Sequence, residues 1–430
     1  MKFIVPPRRD IGIITKKRFE KLVSKHLLPL LPGAEIKQNP VAHSRARATV
    51  AFRDPCTLSL KPSLKSDFHI EITRSQKFAS ASSLGNISEY TLAKSFIRAV
   101  NIITPGIGSA FERDVVNGLG RRIVARSISE RMNQRLTSQG ILDQFSRWAT
   151  RSYEGKPISA SFGVTDEIDR TVDFHDFSKE DFSVVLTNGT DTMIECTSNG
   201  ALQNHHSLPV PRKMPDFAPH RLAGLAEWAK GEKIGLALNR SGEILVLKHG
   251  RLVFVCRRGK WSFLTHEPII TQMGCPQDRN IRREIYSSAL DASFARTGAC
   301  IGVVTSNNVG NASWKNVVPR AEDHLQFPIS TKAKALAKMI GGSKFQDLSR
   351  RFRQELLAID GATLIGHDGT VLAVGAILKI EGGSTGGGRL AAAKTLGQYG
   401  LGIKVSMDGP IEGFRSEPGK MAEAPSFTVM

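Results

Sequence analysis

The sequence is poor in the features that usually declare a mechanism. Five cysteines occur in 430 residues, at positions 56, 196, 256, 275 and 300. Their odd number, wide spacing and lack of a CxxC pair exclude a disulfide framework and a zinc ribbon, and predict reduced, mostly buried thiols. No apolar run reaches the ~20 residues that a membrane-spanning helix needs. The opening Met-Lys-Phe-Ile-Val-Pro-Pro has too short an apolar core for a secretory signal, so the chain is expected in the cytoplasm, away from membranes. There is no P-loop, GxSxG or HExxH pattern, no Cys/His cluster, no internal repeat and no low-complexity tract.

Acidic residues are also short, 40 against 59 Lys and Arg, for a net charge of +19. The imbalance is local. Residues 1–150 hold 25 basic against 11 acidic residues, 151–200 hold 4 against 10, and 201–430 hold 30 against 19. A basic module beside an acidic one is implied. The basic region, 1–150, is a candidate for nucleic acid or another polyanion, set against an ordinary basic surface. The length predicts two or three domains. A hydrophobic share of 40% and a charged share of 23% are those of a globular protein.

Along the chain, Phe19, Leu22, Val23 and Leu27 recur at helical spacing from Lys16 until Pro29 and Pro32 stop the helix. Lys16, Lys17, Arg18, Lys21 and Lys25 share much of one face; a solvated face is the default and an anionic partner the second reading. Short strands are expected over 46–51, 57–60 and 68–72, and a helix capped by Ser88 runs to Val100. Residues 111–148 read as helical, interrupted at Gly140, with Arg121, Arg122, Arg126, Arg131 and Arg135 among the apolar positions. No aromatics alternate with these arginines as they do in single-strand binders, so a charged outer face is the first reading. Strands follow over 158–164, 182–186 and 192–196, with Asn188-Gly189 as a hairpin turn. Asp166, Glu167, Asp169, Asp173 and Asp176 gather without the spacing of a calcium loop, and His205-His206 reads as a loop pair. Pro209 to Pro219 reads as a linker or crossover, 220–230 as a helix, and 234–264 as a β-meander, able to extend the next sheet or serve as a sensor layer.

The most informative stretch is near the C-terminus. Two apolar runs, Ala362-Thr363-Leu364-Ile365 and Val371-Leu372-Ala373-Val374, flank Gly366-His367-Asp368-Gly369, a hairpin signal. The loop Gly386-Gly387-Gly388-Arg389 then enters an Ala-rich helix, whose free N–H groups and dipole suit a phosphate. A surface hairpin and a flexible loop would read the same way.

Four ordered segments resemble the diadenylate cyclase (DAC, or DisA-N) family. Asp360-Gly361-Ala362 is similar to its DGA motif, and Ala295-Arg296-Thr297-Gly298-Ala299 to its "ARTGA" entry to a central strand. Residues 332–340 and 345–357 are similar to its middle helices, and Val405-Ser406-Met407-Asp408 to its "VVSEE" strand and turn. The resemblance covers about a third of the chain, roughly 280–415. It implies an α/β fold, with a mixed β-sheet flanked by helices at the C-terminus, preceded by a basic α+β N-terminal region and a β-meander. The expected divisions are 1–150, 151–270, a DAC-like nucleotide-binding domain over 271–415, and a mobile tail over 416–430.

By the same resemblance, Thr297, Gly298, Asp360, Gly361, Ala362, Gly386, Gly387, Gly388, Arg389 and Ser406 would bind a nucleotide, ATP or a cyclic dinucleotide. Asp360 would hold Mg or Mn and serve catalysis in an active enzyme. Such an enzyme joins two ATP into cyclic di-AMP across a face-to-face pair of domains, so a homo-oligomer is implied. The family's Arg-His-Arg clamp on the triphosphate, however, falls on Gly388-Arg389-Leu390, its Ser-Glu-Glu on Ser406-Met407-Asp408, and a His that some members carry before the DGA motif on Ile359. The expectation is a nucleotide sensor with weak or no cyclase activity. The alternatives are an active diadenylate cyclase and a nucleic-acid-binding scaffold acting through the basic region.

Overall fold

A computed structural model describes residues 14–38, 48–79, 87–107, 112–129, 131–169, 172–304, 314–380, 387–417, 420 and 422–430. The chain forms two compact units. The first comprises 1–211 and 224–263, the second 212–223 and 264–430.

In the first unit, helix α1 (Lys16–Leu22) loosens into a five-residue π segment over Val23–Leu27 and a 3-10 turn carrying Pro29. Its predicted apolar stripe of Phe19, Leu22, Val23 and Leu27 is buried. Strands β1 (Glu35–Ile36), β2 (Val50–Asp54), β3 (Thr57–Leu60) and β4 (Ile70–Thr73) form an antiparallel sheet in the order β1-β4-β3-β2. Helix α2 (Glu89–Ile103) starts where Ser88 Oγ accepts from the Thr91 N–H at 3.0 Å, the cap read from the sequence.

The helical stretch that follows divides differently from expectation. It forms α3 (Glu112–Asn117), α4 (Leu119–Ile128) and α5 (Met132–Trp148). Gly140 does not interrupt α5. A Cβ there would meet nothing within 4 Å, and buried Ile141, Leu142 and Phe145 hold the helix through it, against a glycine cost of about 1 kcal/mol. The breaks fall at Gly118 and at extended Ser129.

A short hairpin, β5 (Ser152–Tyr153) with β6 (Lys156–Pro157), precedes a seven-stranded sheet. That sheet contains β7 (Ala160–Val164), β8 (Thr192–Cys196), β9 (Leu202–Ser207), β10 (Ile234–Leu238), β11 (Ile244–Lys248), β12 (Arg251–Arg257) and β13 (Lys260–Phe263), in the order β13-β12-β11-β10-β7-β8-β9. Helices α6 (Phe174–Phe177) and α7 (Ala223–Trp228) complete the element order here. The meander therefore joins the acidic stretch in one sheet.

Residues 182–186 are not a strand: Asp181–Val184 is a 3-10 turn. Asn188-Gly189 consequently joins no hairpin, because β7 and β8 are parallel. Asn188 Oδ1 instead accepts from the N–H groups of Thr190 and Asp191, a local turn that satisfies the backbone without a partner strand. His205 and His206 lie on β9 rather than in a loop, with His206 against Glu195 at 2.5 Å.

The second unit contains α8 (His266–Met273), α9 (Arg279–Ala295), α10 (Trp314–Val317), α11 (Thr331–Ile340), α12 (Arg350–Ala358) and α13 (Gly388–Gly397). Its sheet contains β14 (Ala299–Val304), β15 (Ala362–Gly366), β16 (Val371–Ala376), β17 (Gly400–Val405), β18 (Ile411–Phe414) and β19 (Phe427–Val429), in the order β16-β15-β14-β17-β18-β19. Only β14 and β15 are parallel. The unit is mixed α/β, and the four strands flagged in the sequence share one sheet.

Two segments depart from expectation. Residues 416–430, read as a mobile tail, supply edge strand β19, where the Phe427 ring covers Gly413. A side chain at Gly413 would collide with that ring, since its Cβ would lie 2.0 Å from Phe427 Cε1. The proline-rich stretch read as a linker is held by a buried ion pair. Arg350 donates Nε to Asp291 Oδ2 (2.6 Å) and Nη2 to Oδ1 (2.9 Å). The same guanidinium donates to the carbonyls of Pro215 (2.8 Å) and Ala218 (2.6 Å), and the His220 N–H donates to Asp291 (2.7 Å).

Candidate functional site

The register of the second sheet decides which motifs meet. Cys300 of β14 pairs with Ala362 of β15, so Gly298 and Asp360, each two residues earlier, sit at the same edge. Ala299 pairs with Val405 of antiparallel β17, which brings Ser406 and Met407 to that edge from the other side. Helix α13 leads directly into β17 and packs back along it and β14. Its N-terminus thereby returns to the same place.

Glycines set how closely α13 lies on the sheet. A Cβ at Gly402 would lie 1.8 Å from the Ala393 carbonyl oxygen, and one at Gly302 would lie 2.9 Å from Leu396 Cδ2. Only backbone fits between helix and strand at Gly402.

This seating lays Arg389 across Gly298. A Cβ there would be 2.7 Å from Arg389 Nη1 and 3.1 Å from Met407 Cγ. Gly298 also has φ +65°, following Arg296 at φ +60° in the left-handed turn that ends α9. The turn is fastened by Arg296 Nη1 donating to the Met407 carbonyl at 3.3 Å and by Ser293 Oγ donating to the Gly409 carbonyl at 2.5 Å. Arg389 is half-buried and makes no hydrogen bond or ion pair among the described residues. Beneath it, burial pushes the Cys300 thiol up to about 12, against the opposing charge of Arg389.

Among the described residues, nothing covers the helix start. Gly387, at φ +94°, precedes α13 with no side-chain cap, and among the described residues a Cβ at Gly387 or Gly388 would meet nothing within 4 Å. The first-turn N–H groups and the helix dipole are directed there. Gly386 lies outside the described residues.

Just before the neighbouring strand β15, Asp360 is exposed. Gly361, at φ +105°, crosses Gly375 so closely that a Cβ would come within 2.6 Å of the Gly375 carbonyl carbon. Lys332 donates to the Gly375 carbonyl at 3.0 Å and pairs with Asp323. Sequence reasoning missed this lysine, because neither its spacing nor its position in the first turn of α11 distinguishes it from a solvated residue. Ala362 is buried in the sheet, and the Thr297 hydroxyl donates to the Ala292 carbonyl at 3.4 Å. Both support the backbone rather than present a polar group.

The structure thus gathers Thr297, Gly298, Gly387, Gly388, Arg389 and Ser406 on one side of the edge, with Asp360 and Gly361 in the bend that enters the adjoining strand β15. The His-Asp-Gly turn lies at the far end of β15. There His367 Nε2 is 3.0 Å from Cys275 Sγ, and burial pushes that thiol up to about 11, a neutral pair rather than an activated nucleophile.

The donor set does not build a metal site. No three His, Cys, Asp or Glu side chains converge among the described residues, and Asp360 is the one carboxylate the motif supplies. A hard divalent ion held by a single carboxylate needs phosphate oxygens and water for the rest of its shell. No known family matches the chain, and no curated protein matches it either.

Proposed function

We propose that the second unit is a nucleotide-binding sensor of the diadenylate-cyclase-like kind. The observation that carries this reading is Arg389, an uncommitted guanidinium laid against bare backbone at Gly298 beside the uncapped start of α13. A phosphate in that recess would accept from first-turn N–H groups and from Arg389, and charge-assisted bonds of this kind contribute about 1.5–3 kcal/mol. Glycines at 298, 387 and 388 leave room for the ligand to approach main chain. Asp360, exposed in the bend before the next strand, would face a ribose hydroxyl or an ion carried by the nucleotide.

Sensing is favoured over synthesis because phosphoryl-transfer catalysis is mainly positioning and charge stabilisation. Removing one well-placed donor costs a hundred- to a thousandfold in rate, about 3–4 kcal/mol. Here Gly388 and Leu390 stand on either side of the lone Arg389. The test is calorimetry with ATP, ADP, AMP and cyclic dinucleotides, with and without magnesium, beside a product assay with ATP and Mg²⁺ or Mn²⁺. Binding without cyclic product is expected. Robust product that disappears in Asp360→Asn would replace the sensor with an enzyme; no binding of any nucleotide would leave the recess vestigial.

A further inference from the structure

The first unit carries a second concave surface of a different chemistry. One cavity of about 680 Å³ opens between α1 and α3, and another of about 800 Å³ is lined from the π segment after α1, from α5 and from the β12–β13 turn. Lys25 and Asn117 line both cavities, which places the two side by side along α1 and its extension.

Its charge is almost wholly of one sign. Lys17, Lys21 and Lys25 recur every four residues along α1 and its extension, and Arg113 faces them from α3. Arg258 and Lys260 line the far cavity. None of these six has an ion pair among the described residues. Among the described residues the single acid in the lining, Glu112, is bonded to Arg18, and Arg121 is neutralised by Asp143. Among the described residues, the lining of the larger cavity contains no acid.

We infer that this groove holds a nucleic-acid strand through consecutive phosphates, without reading its bases. Unpaired cations at helical spacing match a linear polyanion better than a single small anion. The recess is concave, which suits a strand rather than a flat bilayer. Among the described residues its one Phe, Tyr or Trp is Trp261, which is buried against Gly120 and offers no face for a base to stack on. Phosphate contact without base contact gives affinity without sequence preference and a steep dependence on salt.

The experiment uses the full chain and a fluorescein-labelled oligothymidine, followed by anisotropy between about 50 and 200 mM salt. Lys21→Glu/Lys25→Glu is compared with Lys334→Glu/Lys338→Glu, an equal charge change on α11 of the second unit. The groove variant is expected to bind at least tenfold more weakly, with its salt slope shallower by about 1.4, two phosphate contacts at ~0.7 each. The α11 variant should keep both the affinity and the slope. Failure of the unaltered chain to bind at low salt would overturn the inference. So would equal weakening in both variants, or tighter binding to anionic vesicles or polyglutamate than to the oligonucleotide. Circular dichroism and a melting curve on both variants separate lost binding from lost folding.

Discussion

Arg350 and Lys21 are both cations, yet they serve opposite purposes. Arg350 is buried, spans Asp291 with two hydrogen bonds and gives two further donors to the carbonyls of Pro215 and Ala218. Lys21 is exposed on the wall of a groove with no acid paired to it among the described residues. Arg389 lies between these extremes, half-buried against Gly298 and without a hydrogen-bonded or ion-pair partner among the described residues. A surplus of 19 positive charges does not separate these cases; the partners do. Matched cations hold this fold together, and unmatched ones are where an anion would be held.

The contrast breaks most visibly at the matched end. Arg350→Ala leaves Asp291 buried and the 215–220 segment without its donors. It is expected to destabilise the second unit by about 3–5 kcal/mol, the usual cost of breaking a buried pair, read by urea unfolding. Arg350→Met/Asp291→Leu should recover part of the loss but not all, because the Pro215 and Ala218 carbonyls and the His220 N–H stay unsatisfied. Full recovery would mean that the network does not hold the proline-rich segment in place.

At the unmatched end, Arg389→Ala should leave the melting temperature nearly unchanged. It should weaken nucleotide binding roughly ten- to a hundredfold, at about 1.4 kcal/mol per decade. Calorimetry beside a thermal melt separates the two effects. A large fall in stability with unchanged binding would move Arg389 into the same class as Arg350.

Legibility follows the same division. The strands of the second sheet were readable because apolar runs such as Ala299 to Val304 and Val371 to Ala376 are buried throughout. The Ser88 cap was readable because its hydrogen bond is local. The gathering of Gly298, Arg389 and Ser406 could be anticipated only through the order of motifs, since sheet register brings them together across more than a hundred residues. The docking of 212–223, the edge strand at 427–429 and the continuity of α5 through Gly140 were hidden, each depending on partners distant in sequence. Charge shifts and turn residues placed boundaries near 150 and 270, whereas chain contacts divide the molecule after 263 and carry 212–223 into the second unit. Composition registers surface chemistry, and contacts register cores.

A smaller effect is expected at Gly298. Alanine there must adopt φ +65° and place a methyl group 2.7 Å from Arg389 Nη1. The left-handed backbone costs about 1 kcal/mol, and the guanidinium, the far end of a flexible side chain, can swing aside. Gly298→Ala should therefore be mildly destabilising and weaken nucleotide binding less than Arg389→Ala does. Equal weakening would show that backbone access, rather than the displaced charge, limits the site.

The smallest expected effect lies at the His-Asp-Gly turn, where a cation is matched but solvent-exposed. Burial alone would raise the Asp368 pKa, but hydrogen bonds from Lys344 and Thr370 outweigh it and bring the carboxyl down to about 2. The folded value is thus below the ordinary ~3.9 of an aspartate. The resulting stabilisation is fully present above about pH 4 and is lost as the pH falls through about 2. The Asp368 side chain is 52% exposed and that of Lys344 39%, so solvent screening limits the pair to a few tenths of a kcal/mol. Lys344→Met should lower stability by that amount at pH 7 and by nothing measurable near pH 2, by urea unfolding at the two values. An equal loss at both would trace the effect to the packing of the lysine stem rather than its charge, and a loss comparable to that of Arg350→Ala would erase the distinction between exposed and buried pairs.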